Sequence, residues 1–127
     1  MTNIIDLSDK KILVVEDDDM NFVYLTQIFK LTKGDITRAK TGRQALDYAH
    51  ENKYDIILMD IQLPDISGNE VVKNIREFDI STPIIAQTAS RTPDETDESI
   101  EAGCSSVLIK PFTINELSAA VSNYLSC

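Results

Sequence analysis

Apolar residues follow two rhythms along this chain. Short, nearly unbroken runs occupy Lys11–Glu16, Asp35–Ala39, Asp55–Asp60, Pro83–Gln87 and Ser106–Ile109. Three of them carry almost no polar alternation, as expected for strands buried on both faces of a parallel sheet. Between the runs, apolar positions recur at helical spacing. Phe22, Leu25, Ile28 and Phe29 form one such set, and Ala45, Leu46 and Ala49 another. Val71, Val72, Ile75 and Phe78 follow, and Ile114, Leu117, Val121, Tyr124 and Leu125 close the chain.

Punctuation supports this division. Thr41…Gln44, Ser67…Glu70, Thr92…Glu95 and Thr113…Glu116 fit the capping-box pattern, in which two side chains satisfy orphan amides at a helix start. Pro93 stands where a first helical residue belongs. Gly34 and Gly103 fall where helices should stop, and Pro83 opens a strand without costing a ladder bond. The order is strand then helix, five times over. Right-handed crossovers then predict an α/β fold, a doubly wound (βα)5 sandwich with a five-stranded parallel sheet. In the flavodoxin-like strand order 2-1-3-4-5, ligands bind at the carboxyl ends of the strands, where the order reverses between the first and third.

Those two strands end in acid. Ile12-Leu13-Val14-Val15 runs into Glu16-Asp17-Asp18-Asp19, and Ile56-Ile57-Leu58-Met59 runs into Asp60. Carboxylates packed together repel, so either one takes a proton or a cation joins them. A hard oxygen cage with room for water suits Mg²⁺ or Mn²⁺. Such an ion holds a phosphoryl group against a neighbouring nucleophile, and carboxylates do form aspartyl phosphates. The remaining phosphoryl charge needs further donors. The fourth strand offers the Thr88 hydroxyl and the fifth the Lys110 ammonium. Pro111 makes a cis Lys110–Pro111 bond affordable, which would aim Lys110 inward. Within the acidic run, Glu16 and Asp17 belong to the pocket and Asp18 or Asp19 to the helix cap.

Composition narrows the function. A length of 127 residues is about one domain, and 43% hydrophobic with 26% charged residues is ordinary for a soluble globular protein. A net charge of −9 argues against direct nucleic-acid binding, which needs clustered Lys and Arg. Cys104 and Cys127 have no zinc spacing and read as reduced thiols. Nothing resembles a signal peptide or a membrane span, so a cytoplasmic protein is expected.

The motifs carry a family resemblance. Ile12-Leu13-Val14-Val15-Glu16-Asp17, Ile57-Leu58-Met59-Asp60-Ile61-Gln62-Leu63-Pro64 with Ser67-Gly68, Ile84-Ile85-Ala86-Gln87-Thr88-Ala89, and Lys110-Pro111-Phe112 come in order, each at a strand tip. Together they resemble the receiver domain of two-component response regulators, over about Lys11 to Leu125. The resemblance implies that Asp60 is the phosphoacceptor. It implies that Asp17 binds Mg²⁺, that Glu16 holds a metal-bound water and that the Gln62 backbone carbonyl is a further ligand. It implies that Thr88 and Lys110 engage the phosphoryl group. The donor would be a histidine kinase or a histidine phosphotransfer protein. Residues 1–127 are expected to form a single receiver domain without an output domain. That domain would be stand-alone or excised from a hybrid kinase or longer regulator, and a monomer or a phosphorylation-dependent dimer.

Two features depart from the family pattern. Val107 stands three residues before Lys110, where many receivers have Tyr or Phe. The fourth helix, Thr92 to Ala102, carries five acids and few apolar anchors, which implies mobility; it reads either as a solvated face or as an acidic docking face for a basic partner. His50, the only histidine, reads as a solvated surface residue and a poor phosphodonor. Gln62 and Ser90 are expected to tune hydrolysis of the phosphorylated form. Two other classes compete. A small-molecule phosphotransferase of the aspartyl-phosphate type would need an acid two residues after Asp60, and Gln62 cannot shuttle a proton. A degenerate receiver that serves only as a docking surface would not need the acid pair, Thr88 and Lys110.

Overall fold

The structure, a computed structural model, describes residues 5–89 and 92–125. Five strands and five helices alternate: β1 (Lys11–Val15), α1 (Asp19–Thr32), β2 (Asp35–Ala39), α2 (Gly42–Glu51), β3 (Ile56–Asp60), α3 (Gly68–Arg76), β4 (Ile84–Thr88), α4 (Pro93–Ala102), β5 (Ser106–Ile109) and α5 (Ile114–Ser122). The strands form one parallel sheet in the order β2-β1-β3-β4-β5, which is the expected doubly wound topology.

The unalternating runs are the central strands. Every residue of β3 and β4 is buried, as are all of β1 after Lys11. One apolar layer joins Leu13, Met59, Ile57 and Ala86 to Val71, Val72 and Ile75 of α3. The other joins Val14, Leu58 and Ile85 to Leu25 and Phe29 of α1 and Leu117 and Val121 of α5. Each fully buried Leu or Ile contributes about 1.5–3 kcal/mol, so β1, β3 and β4 form a stiff platform for whatever stands at their tips.

Local punctuation differs in detail from expectation. Of the four capping boxes, only Thr113–Glu116 closes in both directions. Thr41 caps the Gln44 amide, but the Gln44 side chain turns to the Lys40 amide instead. Ser67 accepts from Asn69, one residue short of the box. Thr92 makes no side-chain cap bond, although Pro93 takes the first helical position as expected. The left-handed residue that ends α1 is Lys33 (φ 65°), not Gly34. Gly34 is needed for room: a Cβ there would lie 2.7 Å from the Ile12 side chain. Gly103 does take the positive φ, at 121°.

His50 is exposed, and its ring stacks on Phe78 with centroids 3.8 Å apart. Cys104 is a free, buried thiol whose pKa burial pushes up to about 12; Ser90 and Cys127 lie outside the described residues. No helix among the described residues is long and apolar enough to cross a membrane.

Candidate functional site

Three strand tips meet at one point. Glu16 follows β1, and its amide still bonds to Ala39 of β2 at 2.9 Å, so the ladder fixes it to the end of the strand. Asp60 is the last residue of β3, opposite Gln87 of β4 in register. Carboxylate oxygens of Glu16, Asp17 and Asp60 all lie within 4.8 Å of one another. Glu16 and Asp60 are buried, while Asp17 is exposed.

Lys110 reaches into this cluster from beyond β5. Its Nζ lies 3.3 Å from Glu16 Oε1 and 3.4 Å from Asp60 Oδ2. Its backbone amide donates to the Thr88 carbonyl at 2.7 Å, and the Lys110–Pro111 bond is cis. The Tyr24 hydroxyl of α1 donates to the Phe112 carbonyl at 2.8 Å, so the lysine loop is held from both sides. Thr88 closes β4 and is buried.

Burial raises the pKa of Asp60 to about 7, and the neighbouring Glu16 carboxylate adds to the rise. Lys110 and the Gln62 amide, which donates to Asp60 Oδ1 at 3.0 Å, oppose it. The site is therefore short of positive charge. Oxygen donors gathered around a buried acid, one of them open to solvent, suit a small divalent cation.

The loop after Asp60 folds back tightly. The Gly68 amide donates to the Ile61 carbonyl at 2.8 Å. A Cβ on Gly68 would lie 2.3 Å from the Asp60 carbonyl oxygen, so no larger residue fits where α3 starts. On the other side of Thr88, a cleft of about 520 Å³ opens between this loop and α4, lined by Ile61, Leu63, Ser67 and Ser99 among others. Val107, half-buried, packs into the apolar layer on this side of the sheet.

The site residues expected from sequence thus converge: Glu16, Asp17, Asp60 and Lys110 in direct proximity, with Thr88 and Gln62 at adjoining backbone. Of the two cap candidates, Asp18 is the cap, accepting from the Asn21 amide at 3.1 Å. Asp19 instead pairs with Arg38 at 2.9 Å and with Lys40 at 3.5 Å. Two supporting residues were not anticipated. The Asn21 side chain donates to Glu16 Oε1. Arg38 of β2 donates from Nε to the Glu16 carbonyl at 3.0 Å and lies 4.3 Å over the Phe22 ring. A lone arginine on an edge strand carries no sequence signal for this role. Asn21, one turn into an acid-capped helix, was the more readable of the two.

Known proteins agree with this geometry. Residues 12–122 match the family model of the response regulator receiver domain. The chain is 32% identical over 118 residues to the polar-differentiation response regulator DivK of Brucella anthropi, covering 91% of this chain and 96% of that protein. It superposes with a TM-score of 0.85 and 31% identity on the receiver domain of sensor histidine kinase PA1611 from Pseudomonas aeruginosa, solved with magnesium in the active-site cleft; the match covers 91% of this chain and 96% of that one. It also superposes, with a TM-score of 0.86 and 27% identity, on a chain of the complex between the Saccharomyces cerevisiae histidine phosphotransfer protein Ypd1 and the Ssk1 receiver domain, covering 97% of this chain and 91% of that one. The acidic cluster at the switch point of a 2-1-3-4-5 sheet and the family match lead to one conclusion: this chain is a response regulator receiver domain of the CheY-like type.

Proposed function

We propose that Asp60 is the phosphoacceptor of this receiver and that Glu16, Asp17, Thr88 and Lys110 serve the transfer. The observation that carries the assignment is Asp60 itself: a buried carboxylate within 4.8 Å of two others and 3.4 Å from a lysine. An Asp60 carboxylate oxygen attacks phosphorus, the bond from phosphorus to the donor nitrogen breaks, and the donor imidazole leaves with its electron pair. Lys110 and the Thr88 hydroxyl stabilise the charge spread over the phosphoryl oxygens. Asp17, Asp60 and the Gln62 carbonyl would hold Mg²⁺ directly, and Glu16 would hold it through a water. When bound, such an ion would supply positive charge to offset the acids and the phosphoryl group. The platform of buried strands keeps these groups aligned.

The donor is a protein carrying phosphohistidine, either a histidine kinase or a histidine phosphotransfer protein. The neighbour solved with Ypd1 supports this reading. So does α1, which begins beside the site and leaves Met20, Val23, Tyr24 and Leu31 exposed in one stripe. These positions repeat at helical spacing, so a partner helix laid along them would reach the acids. The output face is α4-β5-α5, whose first helix carries five acids and buries only Ser99 and Ala102.

The test is phosphorylation with acetyl phosphate and Mg²⁺, followed by intact mass. The wild-type chain should gain one phosphoryl group and Asp60→Asn none. A label retained on the variant overturns the assignment.

A further inference from the structure

Gln87, the residue before Thr88, is fully buried. Neither its side-chain oxygen nor its nitrogen has a hydrogen-bond partner among the described residues. A buried amide in that condition destabilises the fold. Its location follows from register. Asp60 of β3 stands opposite Gln87 of β4, which stands opposite Leu108 of β5. Neighbours in register share one face of a parallel sheet, here the face on which Leu108 packs with Leu25 and Leu117. Lys110 begins past the end of β5 and reaches Asp60 on β3. Its stem therefore crosses the end of β4, and the β4 residue on that face is Gln87.

Both acceptors that Lys110 uses here are carboxylates. A divalent cation bound among Glu16, Asp17 and Asp60 would compete for those carboxylates, directly or through its water, and repel the ammonium. Lys110 is only 24% exposed, so a protein acceptor beside its stem competes with water for its donors. The strand it crosses supplies one. We propose that Gln87 Oε1 accepts from Lys110 Nζ when the cation site fills, holding the ammonium over β4 until phosphoryl oxygens arrive. Gln87 is thus a positioning residue, touching neither cation nor phosphoryl group. The proposal rests on the assignment of the acidic cluster as a cation site.

Gln87→Met and Gln87→Leu keep a similar volume and remove the amide. Both should raise Tm without Mg²⁺, since the unpaired amide is gone. Both should bind Mg²⁺ roughly tenfold more weakly, the usual worth of one hydrogen bond to a charged group. In the wild-type protein, Mg²⁺ should shift the Gln87 side-chain amide signals in NMR spectra. Equal Mg²⁺ affinity in wild type and variants overturns the role of Gln87 alone. Weaker binding with unmoved wild-type amide signals also overturns it, because packing would then be the cause. No Mg²⁺ binding by the wild-type chain overturns the cation site, and this proposal with it.

Discussion

At the scale of single residues, Asp60 sits at odds with its own fold. Its pKa rises from 3.8 to about 7 on folding, through burial and the Glu16 charge. Between those values the folded chain holds a proton that the unfolded chain has released. Stability therefore falls as pH rises from about 4 to about 7. Asp60→Asn removes this cost. In the absence of Mg²⁺ the variant should exceed wild type by about 1–2 kcal/mol at pH 7.5, or several degrees of Tm, with the gap closing near pH 4. Thermal scans across pH, with and without EDTA, measure it. Mg²⁺ should stabilise wild type more than the variant, since ligands stabilise by binding the folded state.

Asp79 shows the opposite sign. Burial alone would raise it, but the Thr82 hydroxyl and the Thr82 and Ser81 amides outweigh that and hold it at about 2. Its stabilisation is present above pH 4 and lost as pH falls towards 2. Asp79→Asn should cost about 1 kcal/mol at neutral pH, allowing for solvent screening at this part-exposed turn, and nothing measurable near pH 2. Chemical denaturation at the two pH values separates the outcomes.

At the scale of elements, the acid loop is clamped from an edge strand. Arg38 holds the Glu16 carbonyl and Asp19 and covers Phe22. Arg38→Ala should loosen Glu16 and Asp17 and weaken Mg²⁺ binding several-fold, at a modest cost to global stability; calorimetric titration and denaturation report the two effects separately. Lysine should rescue little, because it lacks the planar fork. Helix α4 is the weak element. With Ser99 and Ala102 as its buried residues and Ile100 46% exposed, its amides should exchange with solvent far faster than those of β1 or β3. Uniform protection across all three would contradict this.

The same scale shows what a sequence can and cannot convey. Strands β1, β3 and β4 were legible because burial on both faces writes itself as an unbroken apolar run. The site was legible because a parallel sheet delivers strand tips to one edge, so four tip motifs already implied a cleft. Helix starts were less so. A Thr or Ser three residues before Glu or Gln states an opportunity, and competing donors such as the Lys40 amide decide its use. Gly34 does stand at the end of α1, but Lys33 takes the left-handed turn; composition does not distinguish room for Ile12 from that turn. Arg38 and Gln87 were invisible as site neighbours. Their roles depend on which strands adjoin, and that is a property of register.

At the scale of the whole molecule, the sheet is wired by one side chain. Lys110 ties β5, the rim of the sheet, to the acid on the middle strand, and its amide is bonded to the carbonyl of Thr88. Chemistry at the centre thus reaches the edge through one side chain. A protein that grips only the rim can sense whether the acid is charged without ever touching it.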